Sequence, residues 1–127
     1  MTTRRVLVVE DDSSIREMVA LALEDAGYGV TAAGDGETAI ELIPKEPPDV
    51  LLVDLRMPLM DGFEFMRRYA DSGGHSPIIV LSAARDVDFA RHKLTAAAVI
   101  EKPFDLNELI ATVDRIAGPA TSPDATS

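Results

Sequence analysis

The sequence has no cysteine, which excludes a disulfide framework and thiolate chemistry. It is also short of positive charge. Twelve basic residues stand against 22 acidic ones, for a net charge of −10. A surface of that sign does not grip nucleic acid by itself, because phosphate contacts need Lys and Arg. No apolar run approaches the ~20 residues of a membrane span. The basic start Met1-Thr2-Thr3-Arg4-Arg5 leads into an apolar run that stops at Glu10, too short for a secretory signal. The glycines form no G-x-G-x-x-G, so dinucleotide binding has no support. The two histidines are His75, after the turn Ser72-Gly73-Gly74, and His92, on a helical stretch. Both read as ordinary polar residues. The expected setting is cytoplasmic, with no membrane contact and no direct binding of nucleic acid.

What is present suits one compact domain: 127 residues, 46% of them hydrophobic. Four short apolar runs recur, Val6-Leu7-Val8-Val9, Val50-Leu51-Leu52-Val53, Ile78-Ile79-Val80-Leu81 and Ala97-Ala98-Val99-Ile100. None alternates apolar with polar, which is the pattern of strands covered on both faces in a parallel sheet. A weaker strand is expected around residues 29–33. Ile15, Met18, Val19, Ala22, Leu23 and Ala26 form one helical stripe, with Ser14 and Glu17 as a capping box and Gly27 as its stop. Leu106, Leu109, Ile110, Val113, Ile116 and Ala117 form a second, with Asp105 as N-cap. Shorter helices are expected at about 36–43, 62–71 and 86–95. The order is a strand and a helix repeated five times, and right-handed crossovers then place helices on both faces of a parallel sheet. From Gly118 to Ser127 no apolar period remains, as in a disordered tail or the stub of a linker.

In such a sheet, ligands sit beyond the carboxyl ends of the strands. Four of the five strands end in a reactive polar residue. The first runs into Glu10-Asp11-Asp12, the third ends at Asp54, the fourth at Ser82 and the fifth at Lys102. Each alone is unremarkable as a turn, a cap or a surface cation. Together on one edge they make chemical sense. Three crowded carboxylates repel one another, and a hard divalent cation such as Mg²⁺, with Mn²⁺ as a substitute, relieves this through oxygen ligands. With a metal held by two carboxylates, the third can attack phosphorus and form an aspartyl phosphate. The cation, an ammonium and a hydroxyl then share the phosphoryl oxygens.

The motifs Val8-Val9-Glu10-Asp11-Asp12, Val53-Asp54-Leu55-Arg56-Met57-Pro58, Asp61-Gly62, Leu81-Ser82-Ala83 and Glu101-Lys102-Pro103-Phe104 appear in that order. Over residues 4–117 the chain resembles the receiver domain of bacterial two-component response regulators. The resemblance implies a flavodoxin-like (βα)5 three-layer α/β sandwich with strand order 2-1-3-4-5. It implies Asp54 as phosphoacceptor, and Glu10, Asp11, Asp54 and the backbone carbonyl of Arg56 as Mg²⁺ ligands. Ser82 and Lys102 would hold the phosphoryl group, with a cis Lys102–Pro103 bond turning the ammonium toward Asp54. The expected donor is a sensor histidine kinase or phosphotransfer protein, replaceable by small acyl phosphates. The expected product is a switch of partner binding in a monomer or weak dimer. Such a domain assists its own phosphorylation and dephosphorylation and is not an enzyme acting on a separate substrate. Many relatives carry Tyr or Phe three residues before the lysine, where this chain has Val99. The stretch from Ser82 to Lys102 is slightly short for the family, implying a trimmed fourth helix. The main alternative is an aspartate-nucleophile phosphatase of haloacid dehalogenase type. Those enzymes place a second Asp two residues after the nucleophile as general acid, and this chain has Arg56 there.

Overall fold

Every apolar run of the sequence forms a strand in the computed structural model, which describes residues 2–57, 60–118 and 121–122. The strands are β1 (Arg5–Val9), β2 (Gly29–Ala33), β3 (Val50–Asp54), β4 (Ile78–Ala83) and β5 (Ala98–Lys102). They alternate with α1 (Ser13–Asp25), α2 (Gly36–Leu42), α3 (Gly62–Asp71), α4 (Val87–Lys93) and α5 (Leu106–Ala117). These five strands form one sheet, all neighbours parallel, in the order β2-β1-β3-β4-β5.

The absence of alternation in the apolar runs has a direct cause. Successive strand residues point to opposite faces, and both faces are covered. Val6, Val8, Val50, Leu52, Ile79 and Leu81 pack with Val19 and Leu23 of α1 and Leu109 and Val113 of α5. Leu7, Val9, Leu51, Val53, Ile78 and Val80 pack on the other face with Ala39 of α2, Phe65 and Tyr69 of α3 and Ala90 of α4. Each such aliphatic side chain, fully buried, contributes roughly 1.5–3 kcal/mol, so register is strongly fixed.

Several local expectations are corrected. The N-cap of α1 is Asp12, whose side chain accepts from the Ile15 amide, not a box of Ser14 and Glu17. A carboxylate directly before the helix competes better for that amide than a serine already inside the first turn. The buried seam of α1 is narrower than its apolar stripe: Met18 is 44% exposed and Ala26 faces solvent. Gly27 does end the helix, at φ 100°, with the Tyr28 amide donating to the Leu23 carbonyl. Helix α4 spans seven residues after a short 3-10 turn at Ala84–Asp86, less than the expected 86–95. Within the expected tail, Thr121–Ser122 pair antiparallel with Thr2–Thr3. The rest of the tail, 119–120 and 123–127, lies outside the described residues.

Candidate functional site

Parallel register sets the site. Val9 lies beside Val53, and Val53 beside Val80, so Glu10 and Asp54 both follow the same row of the sheet. Asp54 is opposite Leu81, and one step on Ser82 is opposite Glu101 and Ala83 opposite Lys102. The carboxyl ends of β1, β3, β4 and β5 therefore deliver Glu10, Asp54, Ser82 and Lys102 to one edge, as the sequence implies.

The Lys102 Nζ ties the cluster together. It donates to Glu10 Oε1 at 2.9 Å and pairs with Asp54 Oδ2 at 3.1 Å. The other Asp54 oxygen, Oδ1, accepts the Arg56 backbone amide at 3.2 Å. Glu10 and Asp54 are buried, while Asp11 is exposed, and one ligand oxygen from each lies within 4.8 Å of the others. Glu10 Oε2 is buried with no hydrogen-bond partner among the described residues. Burial and then the neighbouring Asp54 carboxylate push the Glu10 carboxyl from its ordinary 4.5 up to about 8, with Lys102 offsetting part of this. For Lys102, burial alone would lower the pKa, but the bond to Glu10 and the charge of Asp54 outweigh it and raise the value. The Lys102–Pro103 bond is cis, as the sequence implies. Ser82 is 1% exposed, and its hydroxyl donates to the Ala83 carbonyl at 3.1 Å, a local bond it can exchange for an incoming acceptor.

The Asp61-Gly62 motif has a packing explanation. Asp61 caps α3 by accepting from the Glu64 amide. Gly62 donates its amide to the Leu55 carbonyl at 2.9 Å, and a Cβ there would lie 2.9 Å from the Asp54 carbonyl oxygen. Only glycine lets α3 begin this close to the backbone of the acceptor strand. Met57 and Met60 are buried and pack in the core. Pro58 lies outside the described residues. His75 is exposed in the connection leading into β4, at the opposite end of the sheet from the cluster, and His92 is exposed on α4. Neither joins the site. Val99 is half-buried against the core on the α2–α4 face.

Two arginine side chains were not singled out from the sequence. Arg56 enters there for its carbonyl and as the residue in place of the phosphatase acid, yet its guanidinium forms a two-pronged pair with Asp86, at 3.1 Å and 2.9 Å. That pair links the loop after Asp54 to the turn before α4. Arg16 reaches back from α1 and donates to the Glu10 carbonyl at 2.8 Å. Neither contact follows a short-range spacing rule, so no sequence pattern announces it.

A family profile described as the response regulator receiver domain matches residues 6–114. The response regulator MprA of Mycobacterium leprae is 39% identical over 111 residues, covering 86% of this chain and 49% of that protein. MprA of Mycobacterium ulcerans is 41% identical over 109 residues, covering 84% of this chain and 47% of that protein. The chain thus spans about half the length of the curated relatives it matches. Among solved structures, the Vibrio cholerae chemotaxis protein CheY4 is similar at a TM-score of 0.80 and 34% identity, covering 91% of this chain and 99% of that one.

Proposed function

The chain belongs to the response regulator receiver domain family, and from that premise we propose that Asp54 is its phosphoacceptor, assisted by Mg²⁺, Lys102 and Ser82. The observation that carries this reading is the Lys102 ammonium held between Asp54 and Glu10 at a three-carboxylate cluster. The donor set fits a hard cation: all candidate ligands are oxygens, and the orphaned Glu10 Oε2 is a buried acceptor that needs a partner. Glu10, Asp11, Asp54 and the Arg56 carbonyl are the groups proposed to hold it. When bound, the cation supplies positive charge against the carboxylates and the phosphoryl oxygens.

The chain's own groups do the rest. The Arg56 amide fixes one Asp54 oxygen, leaving the carboxylate oriented for attack on phosphorus. Attack forms the Asp54 O–P bond as the bond from phosphorus to the donor's leaving group breaks. Lys102 then has a phosphoryl oxygen to pair with in place of a bare carboxylate. We assign the donor role to a sensor histidine kinase or phosphotransfer protein, with acetyl phosphate as a chemical substitute. Output through a downstream effector and a cytoplasmic setting belong to the same proposal. Among the described residues no helix is long and apolar enough to cross a membrane. We place the domain at 4–117 and read 118–127 as a tail or linker stub, of which Thr121–Ser122 pair with Thr2–Thr3. The phosphatase alternative lacks its acid: the position two residues after Asp54 holds Arg56, whose side chain is engaged by Asp86. Incubation with acetyl phosphate should add one phosphoryl group in Mg²⁺ and none in excess EDTA. Equal labelling in EDTA would refute metal assistance.

The switch is expected to run through Ser82. A phosphoryl group on Asp54 brings strong acceptors to the end of β4, and the Ser82 hydroxyl trades its Ala83 bond for one of them. The loop through Ala84–Asp86 then moves, and α4 with it, because Arg56–Asp86 couples that turn to the acceptor loop. Val99 is short and stiff, so an aromatic swing plays no part. Beryllofluoride should shift amide resonances mainly at residues 82–95, and Ser82→Ala should lose most of that response. A wild-type response in Ser82→Ala would eliminate this route.

A further inference from the structure

The acidic loop between β1 and α1 has to present Glu10 and Asp11 while losing the support of the sheet. The last paired residue of β1 is Val9, beside Ala33 on one side and Val53 on the other. The Glu10 amide still donates to the Ala33 carbonyl at 3.1 Å. Its own carbonyl has passed the end of the ladder and receives the Arg16 guanidinium instead, Nη1 at 2.8 Å, with the Asp11 carbonyl 3.5 Å from the same nitrogen. Arg16 can do this because helical side chains tilt toward the N-terminus, back over the turn they came from. Its own amide makes an early helical bond of α1, to the Asp12 carbonyl at 2.9 Å. The base of the side chain is therefore fixed.

The path of the guanidinium depends on a second residue. A Cβ at Gly34, in the turn between β2 and α2, would stand 3.0 Å from Arg16 Nη1 and 3.6 Å from Cζ. The guanidinium lies close to the bare backbone of Gly34, and a methyl group there would crowd Nη1 and make it give by a few tenths of an ångström. Gly34 has no positive φ that would itself demand glycine, so the open space is what its missing side chain provides.

We propose that Arg16 is a positioning residue for the phosphoacceptor site, holding the Glu10–Asp11 backbone in place for cation binding, with Gly34 as the residue that admits it. The choice of acceptor atoms favours this role. An arginine bound to the carboxylates would compete with a cation for their oxygens. This one takes carbonyls, so it fixes the loop and leaves Glu10 Oε2 and the Asp11 carboxylate free. It also brings a permanent positive charge to a cluster of three acids without occupying a ligand position. Outer-shell partners of metal ligands typically change metal affinity by about 10–100-fold when removed.

The inference rests on the cation site proposed above, so Asp11→Asn serves as a control for that site. Mg²⁺ affinity is measured by titration calorimetry, and metal-free stability by chemical denaturation in EDTA. Arg16→Ala should raise the Mg²⁺ Kd about 10-fold or more, and Arg16→Lys should recover part of the loss. Gly34→Ala should weaken Mg²⁺ binding in the Arg16 background and add nothing to Arg16→Ala, since the crowded group is already gone. If Asp11→Asn weakens Mg²⁺ binding while Arg16→Ala binds it normally, the positioning role is wrong and the site stands. If Asp11→Asn has no effect, the site itself is wrong and the inference goes with it. Lower metal-free stability with unchanged Kd in Arg16→Ala, or equal effects of Gly34→Ala in both backgrounds, would also overturn it.

Discussion

Asp54→Asn is expected to abolish phosphoryl labelling by acetyl phosphate while leaving the fold intact. The carboxamide keeps the shape of the side chain, and its oxygen can still accept the Arg56 amide that Asp54 Oδ1 accepts at 3.2 Å. It lacks the anionic oxygen that attacks phosphorus, so chemistry stops at the first step. Stability is subject to two opposed changes. The pair with Lys102 at 3.1 Å is lost, but so is the repulsion between Asp54 and the buried Glu10. Lys102 keeps Glu10 as a partner at 2.9 Å, so no buried charge is stranded. Intact mass after incubation should show the phosphoryl adduct in the wild type and none in the variant, with overlapping far-UV spectra. An adduct of equal yield on the Asn variant would remove Asp54 from the account.

Lys102→Met is the second large effect, and it is double. The substitution keeps most of the stem and removes the ammonium, leaving Glu10 and Asp54 buried against each other. Loss of one preorganised partner of the developing phosphoryl charge should slow labelling by about 10²–10³-fold. Stability should fall too, by about 3 kcal/mol at pH 8 for a broken buried pair, and by less at pH 5. The sign follows from Glu10, whose carboxyl is raised from 4.5 to about 8 in the fold. A group that binds its proton more tightly when folded stabilises the fold while protonated. The metal-free domain therefore loses stability as pH climbs from about 4.5 to about 8 and levels off above. Lys102 helps hold the Glu10 carboxyl down, so without it the proton stays on to higher pH, and the deficit of the variant widens where the wild-type carboxyl ionises, around pH 8. Mg²⁺ competes with that proton, so the stabilisation it gives the wild type should grow across the same window. Labelling of Lys102→Met at the wild-type rate, or a stability deficit independent of pH, would contradict this picture.

Why some of this was legible in the sequence and some was not comes down to range. The strands were legible because Val6 to Val9 and Val50 to Val53 are apolar at every position, a pattern that only two covered faces require. The site followed at once, since Glu10, Asp54, Ser82 and Lys102 each sit where such a run ends. The Asp105 cap of α5 was equally local, and its carboxylate accepts the Asn107 and Glu108 amides. The cap of α1 was misplaced by two residues because Asp12, Ser13 and Ser14 are all competent caps, and only the exit direction of β1 chooses among them. Arg16 and the Arg56–Asp86 pair were invisible for a different reason. A long flexible side chain has many rotamers, and its partner is decided by tertiary neighbours 30 residues away in the case of Asp86. The pairing of Thr2–Thr3 with Thr121–Ser122 joins the two ends of the chain and has no apolar pattern to reveal it.

In the proposed reaction one carboxylate, Asp54, receives the phosphoryl group. An aspartyl phosphate is reduced by borohydride to homoserine, which marks the acceptor chemically. The protein is incubated with acetyl phosphate and Mg²⁺, reduced, digested and mapped by mass spectrometry. Conversion is expected at position 54 alone, present in Mg²⁺ and absent in EDTA. Conversion at Glu10, Asp11 or any other carboxylate, with position 54 unchanged, would contradict it.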